Sequence, residues 1–398
     1  MRIVLTAQPG YSHLVPIVLP VAVLAQKAGH QVAVATAPDA AEHVERAGVQ
    51  PLVLPNAVTV GDMKHSRKLR QEFGISQPQA RPGVTAGVDP ETFARGFVRV
   101  LGSRFAVDLV EALSWWKPDV VLRESTEYGG YLAAEYLGIP HGALDIAPMA
   151  PYGARAVLDE LNDQRAVLGL PGVADPLHPL RGFRASVVPE AFHPVEFRIA
   201  EGRHYRPPEP VAPEPLDAAV AELPADRPLV LASLGSNAGH LIGDGPSPLD
   251  AIIEALGQLP VTAVVALGVG QRPEQWQGPR ADNVHLTSFV QQKTLLAATD
   301  VFISHCGFNG TCEALTAGVP MIGIPLFAEQ PANAARIEQL GAGVRLNVED
   351  LTVDSLSSTL QTVLADATFS ARAKGIQRQT LALPPTERLI YDLEKIAS

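Results

Sequence analysis

Hydrophobic positions in the first half of the chain form short β-branched runs that alternate with longer stretches of helical period. This alternation is typical of βαβ units around a parallel sheet. It fails over residues 56–99 and 145–170, where we predict irregular segments of the kind that carry binding specificity. The predicted elements are strands at residues 3–7, 31–36, 51–54, 119–122 and 141–146 and helices at residues 14–28, 40–47 and 128–136.

The second half repeats this α/β architecture after a stretch dense in proline. Proline cannot join a sheet interior, so residues 207–228 are predicted to form a semi-rigid linker. We therefore expect one domain at residues 1–206, a second at residues 229–384, and an amphipathic helix at residues 385–398 that crosses back to the first. The predicted elements of the second domain are strands at residues 229–234, 262–267, 285–288, 301–304 and 321–324 and helices at residues 248–259, 311–317 and 331–340.

Composition and charge narrow the classes of function. The 398 residues are 46% hydrophobic, which is enough for two cores, and the net charge of -11 argues against a nucleic-acid or anionic-membrane partner. No apolar stretch reaches the roughly 20 residues that span a bilayer. Cys306 and Cys312 have no second cysteine pair with which to build a zinc cage. We expect a cytoplasmic protein that neither inserts into membranes nor binds a metal ion.

The loop from His305 to Glu313 is the strongest candidate site. Open α/β sheets bind ligands at the carboxyl ends of their strands, and this loop follows the predicted strand at residues 301–304 and opens a helix. Its glycines and the N–H groups of the helix start suit a diphosphate, to which His305 adds a donor. Glu313 suits ribose hydroxyls. The same residues also fit a plain tight turn in which a carboxylate complements the helix dipole.

Two further loops follow the first strands of the two domains. Gly235, Ser236 and Asn237 follow the strand at residues 229–234 and suit either closure over a phosphate or an ordinary glycine turn. His13 follows the first strand of the N-terminal domain, where a neutral imidazole suits a general base near pH 7.

Three runs, at residues 305–313, 314–320 and 325–334, together resemble the signature of the family 1 glycosyltransferases of the GT-B fold, in the style of actinobacterial natural-product enzymes. The resemblance implies two facing Rossmann-like, doubly wound parallel-sheet domains with a cleft between them. It also implies a nucleotide sugar as co-substrate, with no cofactor. The residues it implies for donor binding are Gly235, Ser236, Asn237, Phe289, Val290, Gln292, His305, Gly307, Phe308, Asn309, Gly310, Thr311, Glu313, Glu329 and Gln330.

For catalysis, the resemblance implies His13 as the base and Glu124 as its acidic partner, with Glu127 as a nearby alternative. The implied reaction is inverting transfer to a hydroxyl of a small, largely apolar natural product, and Met149 and Tyr152 offer surface for that acceptor. The lack of an Asp-x-Asp sequence favours chemistry without a metal ion.

Several alternatives stay open at the level of sequence. Phenylalanines stand where tryptophans are usual at positions 289 and 308, so the donor is either a dTDP- or a UDP-sugar. Transfer to nitrogen, sulfur or carbon uses the same donor site as transfer to oxygen. A nucleotide-sugar 2-epimerase and a non-catalytic donor-binding helper share the architecture, and the chain is either a monomer or a homodimer.

Overall fold

The computed structural model describes residues 1–59, 62, 66–73, 86–195, 198–200, 202–235, 247–268, 270–278 and 280–397. Contacts within the chain divide it into two units. The first comprises Met1–Pro78, Val88–Pro213 and Leu383–Ser398, and the second comprises Gln79–Gly87 and Glu214–Ala382. The division after Pro213 falls inside the proline-rich stretch.

The first unit is built on a seven-stranded parallel sheet in the order β3-β2-β1-β5-β6-β7-β8. Its central strands are buried along almost their whole length, as expected for β-branched runs covered by helices on both faces. The strands of this half of the chain are β1 (Arg2–Thr6), β2 (Gln31–Thr36), β3 (Gln50–Val53), β4 (Ala86–Gly87), β5 (Val120–Glu124), β6 (His141–Leu144), β7 (Arg184–Ser186) and β8 (Gly202–His204). Strand β4 lies in the second unit.

The helices of the first unit include several that the sequence pattern did not predict. The prediction of irregular structure was wrong for residues 67–72, 90–99 and 155–167, which are helical. Residues 60, 61, 63–65 and 74–85 of the predicted irregular segment lie outside the described residues. The helical segments are Tyr11–His13, a π-helical turn Leu14–Val18, Leu19–Lys27, Pro38–Arg46, Arg67–Glu72, Pro90–Phe93, a π-helical stretch Ala94–Leu101, Gly102–Trp116, Gly129–Leu137, Arg155–Val167 and Glu387–Ala397, with 3₁₀ turns at His178–Leu180 and Glu190–Phe192.

The first helix begins at Tyr11, three residues earlier than predicted, so His13 lies within its first turn. The π-helical turn Leu14–Val18 contains Pro16, which has no N–H to donate to the helix ladder. A change of register at this proline therefore separates the turn that holds His13 from the regular helix Leu19–Lys27.

The second unit is built on a six-stranded parallel sheet in the order β11-β10-β9-β12-β13-β15, and the two-residue β14 pairs with β4. Its strands are β9 (Leu229–Ser233), β10 (Thr262–Ala266), β11 (Val284–Thr287), β12 (Val301–Ser304), β13 (Met321–Gly323), β14 (Phe327–Ala328) and β15 (Gly343–Arg345). Its helices are Ala218–Ala221, Pro248–Gly257, Gln292–Leu296, Phe308–Ala317, Gln330–Gln339, Val353–Ala365 and Ala367–Ala382, with 3₁₀ turns at Pro273–Gln275 and Val348–Asp350.

Strand register brings the candidate loops of the second unit to one edge of its sheet. Ser304 at the end of β12 pairs with Ser233 of β9 and with Gly323 of β13. Ala266 of β10 pairs with Ser233 and with Thr287 of β11. Because the strands are parallel and end level with one another, the loops that follow them emerge side by side.

The C-terminal helix Glu387–Ala397 belongs to the first unit, where it buries Leu389 and Leu393. Asp392 of the same helix accepts a hydrogen bond of 3.0 Å from the Tyr205 hydroxyl. Within the described ranges, we find no helix with the length and apolar character needed to cross a membrane.

Candidate active site

His13 and Glu124, which lie 111 positions apart, form a hydrogen-bonded pair. The imidazole Nδ1 is 3.1 Å from Oε1 of Glu124, whose side chain is fully buried, whereas 26% of the His13 side chain is exposed. The pair forms because β1 and β5 are neighbouring parallel strands in which Thr6 pairs with Arg123, so the loop after Thr6 and the end of β5 at Glu124 lie at the same edge of the sheet. A carboxylate at Nδ1 favours the tautomer with its hydrogen there, which leaves Nε2 able to take a proton.

Glu124 is itself held in place by hydrogen bonds from its surroundings. The Thr126 backbone N–H donates to Oε2 at 2.6 Å, and the Thr126 hydroxyl lies 2.8 Å from Oε1 and 2.9 Å from Oε2. The Gln8 backbone N–H lies 3.4 Å from Oε1. These donors restrict the carboxylate to the orientation in which it faces the His13 ring.

A buried arginine organises the loop that carries Glu124. Arg123 is fully buried, and its Nη1 donates to the backbone carbonyls of Glu124, Ser125 and Glu127 at 3.2, 3.0 and 3.0 Å. Its Nη2 donates to the Pro179 carbonyl at 2.6 Å. Sequence reasoning missed this residue, although a charged residue inside the apolar run of β5 was a visible signal.

Glu127, the alternative acid, is also fully buried but faces other groups. Its carboxylate accepts the Gly130 N–H at 3.0 and 2.9 Å and the Thr6 hydroxyl. Burial raises the pKa of Glu127 to about 7, against the opposing effects of Thr6, Arg123 and Gly130. The structure therefore pairs His13 with Glu124 and gives Glu127 a separate set of partners.

In the second unit, two glycine loops converge on the His305 ring. A β-carbon added to Gly235 would lie 2.8 Å from Cε1 and Nε2 of His305, and one added to Gly307 would lie 2.5 Å from Nε2. Gly235 also has a φ of +87°, a conformation that favours glycine. The loops after β9 and β12 thus both pack closely against the Nε2 and Cε1 atoms of one imidazole.

The loop after β12 opens the helix Phe308–Ala317 without a side-chain cap. Its N-cap is Gly307, which has no side chain to accept from the first turn, and the preceding Cys306 has a φ of +60°. In such a turn the backbone N–H groups at the helix start point outward, where they can bind an anion. Burial lowers the pKa of His305 to about 4, partly opposed by a hydrogen bond with the Ser233 backbone, so the ring is neutral at pH 7 before any anion binds.

Glu313 is aligned by Gln292, from the start of the helix Gln292–Leu296. The Gln292 amide donates to Oε2 of Glu313 at 2.6 Å. Burial raises the pKa of Glu313, while Gln292 and Lys293 oppose that shift. A β-carbon on Gly310 would lie 3.3 Å from the Gln292 amide nitrogen. Glycine at this position therefore leaves space for the hydrogen bond between Gln292 and Glu313.

The loop that carries Glu329 and Gln330 is braced from within. Oε1 of the buried Gln330 accepts the backbone N–H groups of Leu326 and Phe327 at 2.9 and 3.1 Å. That oxygen is used by the protein itself, so only the amide nitrogen of Gln330 is left to serve as a donor to a sugar. Glu329 is half-buried at the N-cap of the helix Gln330–Gln339.

Asn333 connects this helix to the loop after β12. It is fully buried, and its Nδ2 donates to the Cys306 carbonyl at 2.9 Å. The bond fixes the backbone directly before the N-cap Gly307. We did not identify Asn333 as a site residue from the sequence, because an asparagine within a predicted helix carries no signal of which loop it contacts.

The remaining predicted site residues differ in how much surface they present. Phe289 is 62% exposed, whereas Val290 and Thr311 are buried. Met149 is half-buried, but Tyr152 belongs to the hydrophobic core and donates to the Ser125 hydroxyl at 2.7 Å, so it has almost no surface for an acceptor. Phe308 and Gly310 are buried and Asn309 is half-buried in the first helical turn. The predicted residues Ser236 and Asn237 lie outside the described residues.

Across the residues that the structure describes, no cluster of three or more histidine, cysteine, aspartate or glutamate side chains is placed to hold a metal ion. Both cysteines are buried and unpaired with each other, and burial raises the pKa of each thiol to about 12. Cys306 lies in the loop after β12, and Cys312 lies in the helix Phe308–Ala317 that follows it.

Comparison with known proteins shows that this chain is similar in sequence and fold to glycosyltransferases. Residues 202–377 match the family model for UDP-glucuronosyl and UDP-glucosyl transferases. The chain is 27% identical to aklavinone 7-beta-L-rhodosaminyltransferase of Streptomyces galilaeus, over 100% of this chain and 96% of that protein. It is also 27% identical to the NDP-glycosyltransferase YjiC of Bacillus subtilis strain 168, over 97% and 95% of the two chains.

The solved structure of the glycosyltransferase VinC in complex with dTDP superposes on this chain with a TM-score of 0.77 at 22% identity, covering 100% of this chain and 99% of that one. The two parallel-sheet units therefore have the GT-B fold. Residues 202–377 therefore form a domain of the UDP-glucuronosyl and UDP-glucosyl transferase family, and the chain is similar over its whole length to glycosyltransferases.

Proposed function

We propose that this glycosyltransferase moves a sugar from a dTDP- or UDP-sugar to a hydroxyl of a small, largely apolar natural product, with inversion at the anomeric carbon. The observation that carries the proposal is the His13–Glu124 pair, with 3.1 Å between Nδ1 and Oε1. A partly exposed imidazole oriented by a buried carboxylate is the arrangement that a general base requires.

In this mechanism Nε2 of His13 accepts the proton of the acceptor hydroxyl. The hydroxyl oxygen forms a bond to the anomeric carbon from the face opposite the nucleotide. The bond from that carbon to the diphosphate oxygen breaks, and its electron pair leaves with the diphosphate. Glu124 stabilises the imidazolium that results, so the proton stays on the ring until the product departs.

The leaving diphosphate is the second charge that the protein must stabilise. We assign it to the start of the helix Phe308–Ala317 and to His305. Donors fixed before the reaction stabilise developing charge without reorganising, so this site lowers the barrier most as the bond breaks. With the charge met by these groups and by the helix dipole, the proposed reaction uses neither a metal ion nor a cofactor.

The rest of the donor is assigned by the surface that each residue presents. We assign the exposed ring of Phe289 to the nucleobase of the donor and the carboxylate of Glu313 to the ribose hydroxyls. Glu329 and the amide group of Gln330 are assigned to the transferred sugar. The dTDP complex of VinC and the aklavinone substrate in the name of the Streptomyces galilaeus relative support a dTDP-sugar and an apolar acceptor. We also propose that the protein acts in the cytoplasm.

The test is a donor screen followed by an acceptor screen. Thermal unfolding with dTDP, UDP and their sugars identifies the donor, and mass spectrometry of reactions with hydroxylated polyketide and aromatic acceptors identifies transfer. NMR coupling constants of the product then give its anomeric configuration. An α-linked donor should yield a β-linked product. A product with the donor's own configuration would contradict the mechanism.

A further inference from the structure

Glu127 is a fully buried carboxyl that the mechanism above does not use. It accepts two hydrogen-bond contacts from the Gly130 N–H, at 3.0 and 2.9 Å, and one hydrogen bond from the Thr6 hydroxyl. Its own backbone N–H donates to the Glu124 carbonyl at 3.1 Å, and its carbonyl accepts from Arg123 at 3.0 Å. A buried carboxylate costs free energy unless such donors compensate it, so its retention here calls for a role.

These contacts join the two loops that hold the catalytic pair. Thr6 is the last residue of β1, and the chain runs directly from it to His13. Glu127 closes the short loop that starts at Glu124, the last residue of β5. The carboxylate of Glu127 therefore ties the base of the His13 loop to the base of the Glu124 loop.

The Glu127 carboxylate is packed tightly against the backbone of Gly129 and Gly130. A β-carbon on Gly130 would lie 2.6 Å from Oε2 of Glu127 and 2.5 Å from the Thr6 hydroxyl, and one on Gly129 would lie 2.8 Å from Oε1. The glycine pair at the start of the helix Gly129–Leu137 thus lets Glu127 and Thr6 meet, and any side chain there would separate them.

We propose that Glu127 is a positioning residue, whose ionised carboxylate holds β1 against the loop of residues 124–127 and so sets the distance between His13 and Glu124. This inference rests on the proposed function. Glu127 itself does not touch the substrate or exchange the reacting proton.

The ionised form of Glu127 is required because the Gly130 N–H and the Thr6 hydroxyl both donate hydrogen bonds to its carboxylate. A proton on Glu127 would occupy an oxygen lone pair that the Gly130 N–H or the Thr6 hydroxyl uses, so one of these bonds would break or reverse. The charged groups that face Glu127 are Arg123, which favours its ionised form, and Glu124, which opposes it. Burial raises the pKa of Glu127 to about 7, so the group changes its charge near neutral pH.

The test compares the pH dependence of kcat in Glu127→Gln and the wild type. Glutamine keeps the size of the side chain but cannot ionise, and it cannot accept both donors in the same way. We expect kcat at pH 8 to fall by roughly 10- to 100-fold, the range typical of a misplaced catalytic group, while the KM for the donor stays unchanged. The acid limb of the wild-type profile should reflect two protons, because both His13 and Glu127 must be deprotonated, and that of the variant should reflect one.

Thr6→Val provides a second variant, which keeps Glu127 but removes its hydroxyl donor. Since Thr6 lowers the pKa of Glu127, the acid limb of this variant should move to higher pH. Glu135→Gln is the matched control. Glu135 lies on the helix Gly129–Leu137, which follows Glu127, and pairs with Arg165 at 2.9 Å and with His141 at 3.1 Å. Its loss should lower stability but leave the shape of the pH profile unchanged.

Identical acid limbs in the wild type, Glu127→Gln and Thr6→Val would overturn the inference, even if the variants were less stable. A titration of His13 by NMR of its ring Cε1–Hε1 group supplies a substrate-free readout. Its midpoint should move to lower pH in Glu127→Gln, where a nearby negative charge is lost, and an unmoved midpoint would also count against the inference. His13→Ala, assayed in parallel, separates the two proposals: if it keeps wild-type turnover, the proposed base is wrong whatever Glu127 does.

Discussion

Replacing Gly307 by alanine should displace the His305 ring while leaving the backbone intact. Gly307 has φ and ψ of -60° and 148°, which alanine adopts readily, so no backbone strain arises. The new β-carbon would lie 2.5 Å from Nε2 of His305. Atoms in van der Waals contact are roughly 3.5–4 Å apart, so the imidazole must move by about 1 Å.

Displacement of the ring should cost donor affinity rather than stability. A hydrogen bond to a charged group contributes about 1.5–3 kcal/mol, so Kd for dTDP or UDP should rise about 10- to 150-fold. Alanine is a poorer N-cap than glycine, which lowers the free energy of unfolding, but it also reduces the entropy of the unfolded chain, which raises that free energy. The two effects are similar in size, so Tm should change little. Calorimetric titration and thermal unfolding measure the two quantities separately.

Gly235→Ala is the contrasting variant. Its β-carbon also meets the His305 ring, at 2.8 Å, but its φ of +87° adds backbone strain. A left-handed conformation costs an ordinary residue roughly 1–2 kcal/mol, so this variant should lose both affinity and stability.

A double-mutant cycle with His305→Ala tests the reasoning most strictly. Once the imidazole is gone, Gly307→Ala has nothing to displace, so the double variant should bind dTDP or UDP no more weakly than His305→Ala alone. Wild-type affinity in Gly307→Ala, or additive losses in the double variant, would refute the assignment of His305 to the diphosphate.

Glu313→Gln should weaken nucleotide-sugar binding by about 1–3 kcal/mol, because a charged acceptor for the ribose is lost, and unchanged affinity in calorimetry would remove that assignment. Turnover should survive EDTA, and a rate that collapses with the chelator and returns with magnesium or manganese would contradict the metal-free mechanism. Burial raises the pKa of Glu127 from its ordinary value of 4.5 to about 7, so the folded state keeps this proton to a higher pH than the unfolded state does. The wild type should therefore lose about 3 kcal/mol of stability relative to Glu127→Gln as pH rises from 4 to 8, and parallel stability curves in urea would show that burial does not raise this pKa.

The central strands and the loops after them were predictable from the sequence. Runs such as that of β2 are rich in valine and alternate with helical stretches, which leaves few alternatives to a parallel sheet. Because parallel strands end at a common edge, the expectation that His13 and Glu124 would meet followed from their places after β1 and β5, once the resemblance supplied the pairing.

Other elements gave no periodic signal. The π-helical stretch Ala94–Leu101 buries Ala94, Gly96, Val98, Val100 and Leu101, and this mostly alternating pattern does not show the period of an α-helix. Strand β7 and the edge strand β8 are three residues long, and neither contains a β-branched residue.

Side-chain partners were the least predictable part of the site. Gln330 lies in the expected loop, but its oxygen bonds to that loop's own backbone, and Tyr152 lies in the expected segment but points into the core. Such choices depend on which buried polar groups need a partner, and this is decided by the three-dimensional packing rather than by local sequence.

The most direct test of the proposed mechanism is the turnover number of His13→Ala, measured beside its donor affinity. If His13 is the general base, kcat should fall by about 10²–10⁴-fold while the Kd for the donor stays nearly constant, because the groups assigned to the donor belong to the second unit. A folded His13→Ala enzyme with near wild-type turnover on a hydroxyl acceptor would show that the base lies elsewhere.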